Sequence, residues 1–135
     1  MSLLLRVACA IIIEQGKVFA ARRGSTQKQP FKWEFPGGKI EPGETPLQGL
    51  LRELSEELGM QPQVLDQLPS FFHQYEDFHI ELIPFVCRVS TTRHIAVEHD
   101  QTGWFSKQQL PLLQWTAADV PLMEYVVSQV LANYP

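Results

Sequence analysis

Glu53, Glu56 and Glu57 stand three and four residues apart, a spacing that gathers three carboxylates on one side of a helix. Like charges so placed repel by a few tenths of a kcal/mol per pair. Glu56 and Glu57 also lie near the C-terminal end predicted for that helix, where the backbone dipole disfavours anions. Arg52, four residues before Glu56, relieves part of this, but one arginine does not neutralise three acids. Two readings follow from the residues alone. One is a solvated acidic face that tolerates the repulsion. The other is a wall of hard oxygen donors for divalent cations, with waters completing the coordination. A diphosphate bridging such ions would have its charge offset while water attacks phosphorus.

The helix that must carry these acids is well marked. Thr45 suits the N-cap, Pro46 the first helical position, and Gln48 completes a Thr-x-x-Gln capping box. Gly59 supplies the stop. Leu47, Leu50, Leu51, Leu54 and Leu58 form its apolar stripe, and the mean direction of the three glutamates falls roughly 120° from that stripe. Upstream, residues 3–13 read as a largely buried strand, 14–17 as a polar break at a glycine and 18–22 as a returning strand, together a hairpin. Residues 24–30 form a polar loop, and 33–35 a short extended piece stopped by Pro36-Gly37-Gly38. Downstream, 64–68, 70–75, 78–89 and 103–105 read as strands, and 106–110 as a helical turn with a capping box from Ser106 to Gln109. Asp119 opens a last helix with Leu122, Val126, Val127 and Val130 toward the core. The pattern predicts one α/β domain over residues 1–135, a mixed sheet between helices.

From Gly38 the chain runs five residues to Glu44, then seven to Arg52-Glu53-Leu54-Ser55-Glu56-Glu57-Leu58-Gly59-Met60. This resembles the signature of the Nudix hydrolases, Gly-x5-Glu-x7-Arg-Glu-U-x-Glu-Glu-x-Gly-U with U aliphatic, at every specified position. From average residue frequencies a chance match is on the order of 10⁻⁷ or rarer. The signature covers 23 of 135 residues, and the length and element order of the rest resemble the MutT-like branch. The resemblance implies a Nudix fold, an α/β/α sandwich with a central mixed β-sheet, and a Mg²⁺-dependent enzyme for which Mn²⁺ is a substitute. It implies that Glu56 and Glu57 are metal ligands, that Glu53 is a ligand or the general base oriented by Arg52, and that the Gly37 carbonyl is a further ligand. Glu44 is delivered to the same helix by the loop that precedes it. In MutT-like members another acid arrives a few residues before a tryptophan, and Glu98, six residues before Trp104, matches that place.

The same resemblance points to a nucleoside triphosphate, cleaved to the monophosphate and pyrophosphate. Arg23 matches a position that contacts the nucleotide, or is a surface arginine beside Arg22. Lys39 reaches phosphates or is merely solvated. Phe78 stands where MutT has an arginine, and it stacks on a base or belongs to the core; Phe35, Phe31, Trp33 and Tyr75 carry the same two readings. Asp119 falls where MutT has an asparagine that reads oxidised guanine. Ionised, it accepts only and suits the exocyclic amine of cytosine; protonated in a dry pocket, it mimics the amide. It is equally an N-cap of the last helix. Substrates of the 8-oxo-dGTP type and of the CTP or dCTP type therefore both stay open. The rivals are an enzyme for ADP-ribose or a dinucleoside polyphosphate, and a non-catalytic nucleotide sensor, against which the intact acids count.

Fifteen acidic against eleven basic residues argue against a duplex nucleic acid partner, which asks for a basic face. The longest uncharged apolar run, residues 7–13, is far shorter than the roughly 18 that a membrane span needs. No secretory leader is expected, and Cys9 and Cys87, each within an apolar run and neither spaced for zinc, read as reduced thiols of a cytoplasmic protein. The oligomeric state is not encoded in any of these features.

Overall fold

Strand β1 (Leu3–Glu14) is apolar along its C-terminal half on both faces because both faces are covered. Its odd-numbered residues Cys9, Ile11 and Ile13 join one hydrophobic cluster, and the even-numbered Ala8, Ala10 and Ile12 join a second on the opposite side. The computed structural model describes residues 3–90 and 99–135. Around β1 it places β2 (Lys17–Arg23), β3 (Trp33–Glu34), β4 (Gly37–Lys39), α1 (Pro46–Leu58), β5 (Gln63–Gln67), β6 (Phe71–Gln74), β7 (Phe78–Arg88), β8 (His99–Phe105) and α2 (Val120–Tyr125). The sheet runs β3-β2-β1-β7-β5, with β4 added to β1, β6 to β7 and β8 to β2. It is mixed: β1 and β7 run parallel from Leu3 opposite Phe78 to Ile12 opposite Cys87, while the other pairs are antiparallel.

Helix α1 covers one face and α2 with the turns after it covers the other, as the mixed sheet between helices predicts. The α1 capping box forms in full: Gln48 N–H donates to Thr45 Oγ1 at 3.1 Å and Thr45 N–H to the Gln48 side chain at 2.9 Å. At the other end Gly59 adopts φ 64°, and the Met60 N–H returns to the Leu54 carbonyl at 3.1 Å. The apolar stripe is narrower than predicted. Leu50, Leu54 and Leu58 are buried, but Leu47 and Leu51, one row over, are each 39% exposed at the rim of the sheet.

Two further expectations are corrected. Gly37 and Gly38 do not stop the chain but continue it as β4, pairing Gly37 with Cys9 and Gly38 with Ala8. A side chain at Gly37 would strike the Ala8 carbonyl and the Cys9 Cα, so glycine is what lets the two strands approach. The last helix opens at Val120, and the Asp119 side chain makes no cap bond to it. It runs through α2 into a wider π turn at Val126–Val130 that keeps Val126 and Val130 buried. Among the described residues no helix is long and apolar enough to cross a membrane.

Candidate active site

A cleft of about 920 Å³ lies against the odd-numbered face of β1, floored by Leu5, Val7 and Cys9. Around the acids its wall is Gly37 and Gly38 of β4 with Glu53 and Glu57 of α1, and Lys39 also lines it. Phe35, Tyr75, Phe78, Asp119 and Arg23 line it too. Predicted residues from five separate stretches of chain thus share one concavity.

Around the acids Arg52 is the organiser. It sits behind the wall and donates to Glu44 twice, Nε to Oε2 at 2.7 Å and Nη2 to Oε1 at 3.0 Å. Its Nη1 reaches Glu53 Oε1 at 2.9 Å and Glu56 Oε2 at 3.3 Å, and Nη2 also holds the Lys39 carbonyl at 3.0 Å. The guanidinium therefore ties the loop that follows β4 to α1 and fixes the orientation of Glu53. The two Arg52 bonds, and after them the Glu41 N–H, hold the Glu44 carboxyl below the usual carboxylate range. Gly38 is pressed on Glu53: an added Cβ would fall 2.6 Å from each carboxylate oxygen. Glu56 is a different case, with a side chain 62% exposed and outside the cleft. Glu98 lies outside the described residues.

The donor set around the acids is all oxygen, carboxylates and main-chain carbonyls, which is the chemistry that hard divalent cations take. Among the described residues no three acidic, imidazole or thiol groups converge to hold an ion alone. Ions there would complete their coordination from substrate oxygens and water.

Asp119, elsewhere in the lining, is 6% exposed and its Oδ2 accepts the Phe35 N–H at 2.8 Å. The Thr116 hydroxyl also donates to it. Burial, and after it the charge of Glu34, push this carboxyl up to about 7 from an ordinary 3.8, against the two donors and Arg23. The Phe35 ring belongs to the core, 4.7 Å from that of Trp115, so the residue offers the cleft backbone and ring edge more than a free aromatic face. Phe78 is part-buried, tilted against Tyr75 at 5.1 Å. Arg23 is committed to the protein, with Nη1 to Glu34 Oε1 at 2.9 Å and Nε to the Lys28 carbonyl at 2.6 Å. Trp33 is core and Phe31 is exposed, with the Arg22 guanidinium 5.5 Å above its ring.

Sequence reasoning missed Glu34, Thr116 and Cys9. Strand alternation carried a signal for Glu34, which must point opposite to the buried Trp33 and Phe35. Thr116 precedes the short 3₁₀ turn Ala117–Asp119, whose Asp119 N–H returns to the Thr116 carbonyl at 3.0 Å, and no helical periodicity marks it. Cys9 follows from β1 alternation once the face is known. Burial pushes its thiol far above the usual range, so it is an unreactive floor rather than a nucleophile.

Fold and cleft define a Nudix hydrolase: residues 3–126 match the model of the NUDIX domain, and the chain belongs to that family. It is 34% identical over 121 residues to the CTP pyrophosphohydrolase of Escherichia coli (strain K12), covering 90% of this chain and 90% of that protein. It is 43% identical over 79 residues to the 8-oxo-dGTP diphosphatase of the same organism, covering 58% of this chain and 61% of that protein. Among solved structures, the solution structure of the E. coli ORF135 protein is similar, with TM-score 0.82 and 32% identity over 98% of this chain and 95% of that one. The likeness is to MutT-like pyrophosphohydrolases in both sequence and fold.

Proposed function

We propose that the protein is a Mg²⁺-dependent nucleoside triphosphate pyrophosphohydrolase acting in the cytoplasm as one domain. The reaction takes a (d)NTP and water to the monophosphate and pyrophosphate, with a base of the oxidised guanine or the cytosine type. One observation carries this reading: a single cleft is lined both by Glu53 and Glu57 of α1 and by a buried, two-donor Asp119. In this reading the phosphates lie beside Glu53 and Glu57 and the base beside Asp119.

Glu57, Glu56 and Glu53, with the Gly37 carbonyl and Glu98, would hold the ions. Bound there, the ions offset phosphate charge and ease the attack of water on phosphorus. The chain's own part is orientation and proton transfer. Arg52 fixes Glu53, and Glu53 accepts a proton from the attacking water. Lys39 meets the phosphates. Arg23, held by Glu34, presents its remaining donors to the sugar and α-phosphate side. Asp119 reads the base edge, positioned by Thr116 and the Phe35 N–H, while Phe78 offers a stacking face.

The test is pyrophosphate release with Mg²⁺ over 8-oxo-dGTP, dGTP, CTP, dCTP, 5-methyl-dCTP, ADP-ribose and a diadenosine polyphosphate. Pyrophosphate and monophosphate in equal amounts from an oxidised purine or a cytosine nucleotide are expected. Cleavage of ADP-ribose or the dinucleotide alone would overturn the substrate class but leave the acids of α1 in place. Binding without any turnover would make the protein a sensor.

A further inference from the structure

Tyr75 directly follows β6 and lines the cleft, and its backbone, ring and hydroxyl are each held. Its N–H bonds the Phe78 carbonyl at 2.8 Å across the tight Glu76-Asp77 turn. Its ring is flanked by Phe78 at 5.1 Å and by His73, edge-on, at 4.5 Å. Its Oη accepts the N–H of Ala118 at 3.0 Å. A phenol oxygen has one proton to donate and two lone pairs. The Ala118 bond uses a lone pair and leaves the proton, for which no described residue serves as acceptor. Ala118 immediately precedes Asp119, so one short turn sets both the phenol oxygen and the buried carboxylate, and both line the cleft. An unspent donor thus stands beside a group that is an acceptor when ionised and an acceptor-donor when protonated.

We infer that Tyr75 is a specificity-determining residue: its hydroxyl donates to an acceptor on the base edge of the nucleotide while Asp119 binds the neighbouring atom. The inference rests on the nucleotide reading above and deepens it. Both base types present the required pair. Cytosine carries an amine beside an unprotonated ring nitrogen, and oxidised guanine a ring N–H beside a carbonyl. Phe78, tilted against the Tyr75 ring at 5.1 Å, keeps that ring in place whether or not the hydroxyl is present.

The test separates donation to substrate from the bond to Ala118, because the two roles use opposite properties of one oxygen. In Tyr75→Phe, KM for CTP and 8-oxo-dGTP should rise by about tenfold, the loss of one hydrogen bond, with kcat within about threefold. Replacing Tyr75 by 3,5-difluorotyrosine, assayed below the ionisation of that phenol, strengthens the donor and weakens the acceptor. It should hold or lower KM; a rise in KM would assign the hydroxyl to Ala118 alone. Hydrolysis of inorganic tripolyphosphate, which has no base, should be the same in all three proteins. Unchanged KM in Tyr75→Phe, or an equal loss on tripolyphosphate, overturns the inference. A wild-type enzyme that hydrolyses no nucleoside triphosphate overturns the nucleotide reading first, and this inference with it.

Discussion

Arg52 grips Glu44 through two parallel hydrogen bonds, at 2.7 and 3.0 Å, while a third donor of the same guanidinium holds Glu53 at 2.9 Å. A planar fork does this and a lysine ammonium, a single point of charge, does not. Arg52→Lys should therefore lower kcat by at least about tenfold while the circular dichroism spectrum is unchanged. A lysine variant with wild-type kcat would show that orientation by the fork is dispensable. The same bonds keep Glu44 below its ordinary 4.5, so their stabilisation is present above about pH 4.5 and is lost as pH falls through the lowered value. The acid limb of a pH–Tm curve should flatten in Arg52→Lys.

Gly37 and Gly38, adjacent in sequence, should fail in different ways. A Cβ at Gly37 meets backbone of β1, which cannot yield without opening the β1–β4 pair, so Gly37→Ala should lower stability by about 1–3 kcal/mol. The three atoms nearest a Cβ at Gly38 all belong to the Glu53 carboxylate, the far end of a flexible side chain. Gly38→Ala should keep Tm within a few degrees and lose at least about tenfold in kcat. Urea melts and initial rates on the two variants separate the effects; equal loss of Tm in both would defeat the distinction.

Glu53 itself is the sharper probe. It is held by Arg52, covered by Gly38 and open to the cleft, the position of a group that takes a proton from water. Glu53→Gln should reduce turnover by at least about a hundredfold with the fold intact. Glu56, 62% exposed and off the cleft, is expected to cost less when changed to Gln, through metal affinity rather than through kcat at saturating Mg²⁺. Wild-type turnover in Glu53→Gln would remove that residue from the proton transfer.

What was legible in the chain was local. The capping box at Thr45 and Gln48, the stop at Gly59 and the unbroken apolar run of β1 each follow from residues a few positions apart, and each formed as expected. Helical spacing reads the three acids of α1 as one side, but only Glu53 and Glu57 line the cleft, while Glu56 stands outside it, 62% exposed. What escaped depends on contacts between distant segments. The Asp119 carboxylate spends itself on the Phe35 N–H, 84 residues away, instead of on its own helix, which no propensity encodes. Strand β4 exists because β1 lies beside it, and a glycine pair read in isolation signals only a turn. Leu47 and Leu51 have helical spacing but lie beyond the width of the sheet that α1 covers.

Asp119 should also leave a signature in stability. The unfolded chain releases this proton near pH 3.8 and the folded chain near 7, so between those values the native state holds more protons. Stability must then fall as pH rises across that window, by about 4 kcal/mol at 1.36 kcal/mol per unit. Asp119→Asn has no proton to release, and its urea midpoint should change less between pH 4 and 7 than that of the wild type. Parallel curves for the two proteins would place the Asp119 carboxyl near its ordinary value.

The same titration should govern which base is favoured. Below about pH 7 the protonated carboxyl offers an O–H and a carbonyl, the pattern of an amide, and suits the ring N–H and neighbouring carbonyl of 8-oxoguanine. Above it the carboxylate only accepts, which suits the exocyclic amine of cytosine. The ratio of kcat/KM for CTP to that for 8-oxo-dGTP should therefore rise by about tenfold from pH 6 to pH 8, one hydrogen bond changing sign. In Asp119→Asn the ratio should stay at its low-pH value throughout. General effects of pH on the acids of α1 and on the phosphates act on both substrates and cancel in the ratio. A ratio that is flat in the wild type would mean that Asp119 holds one protonation state over this range or does not touch the base, and the Asn variant distinguishes these. An unchanged ratio between the two proteins removes Asp119 from base selection, whereas a flat but displaced ratio keeps it there with its proton fixed.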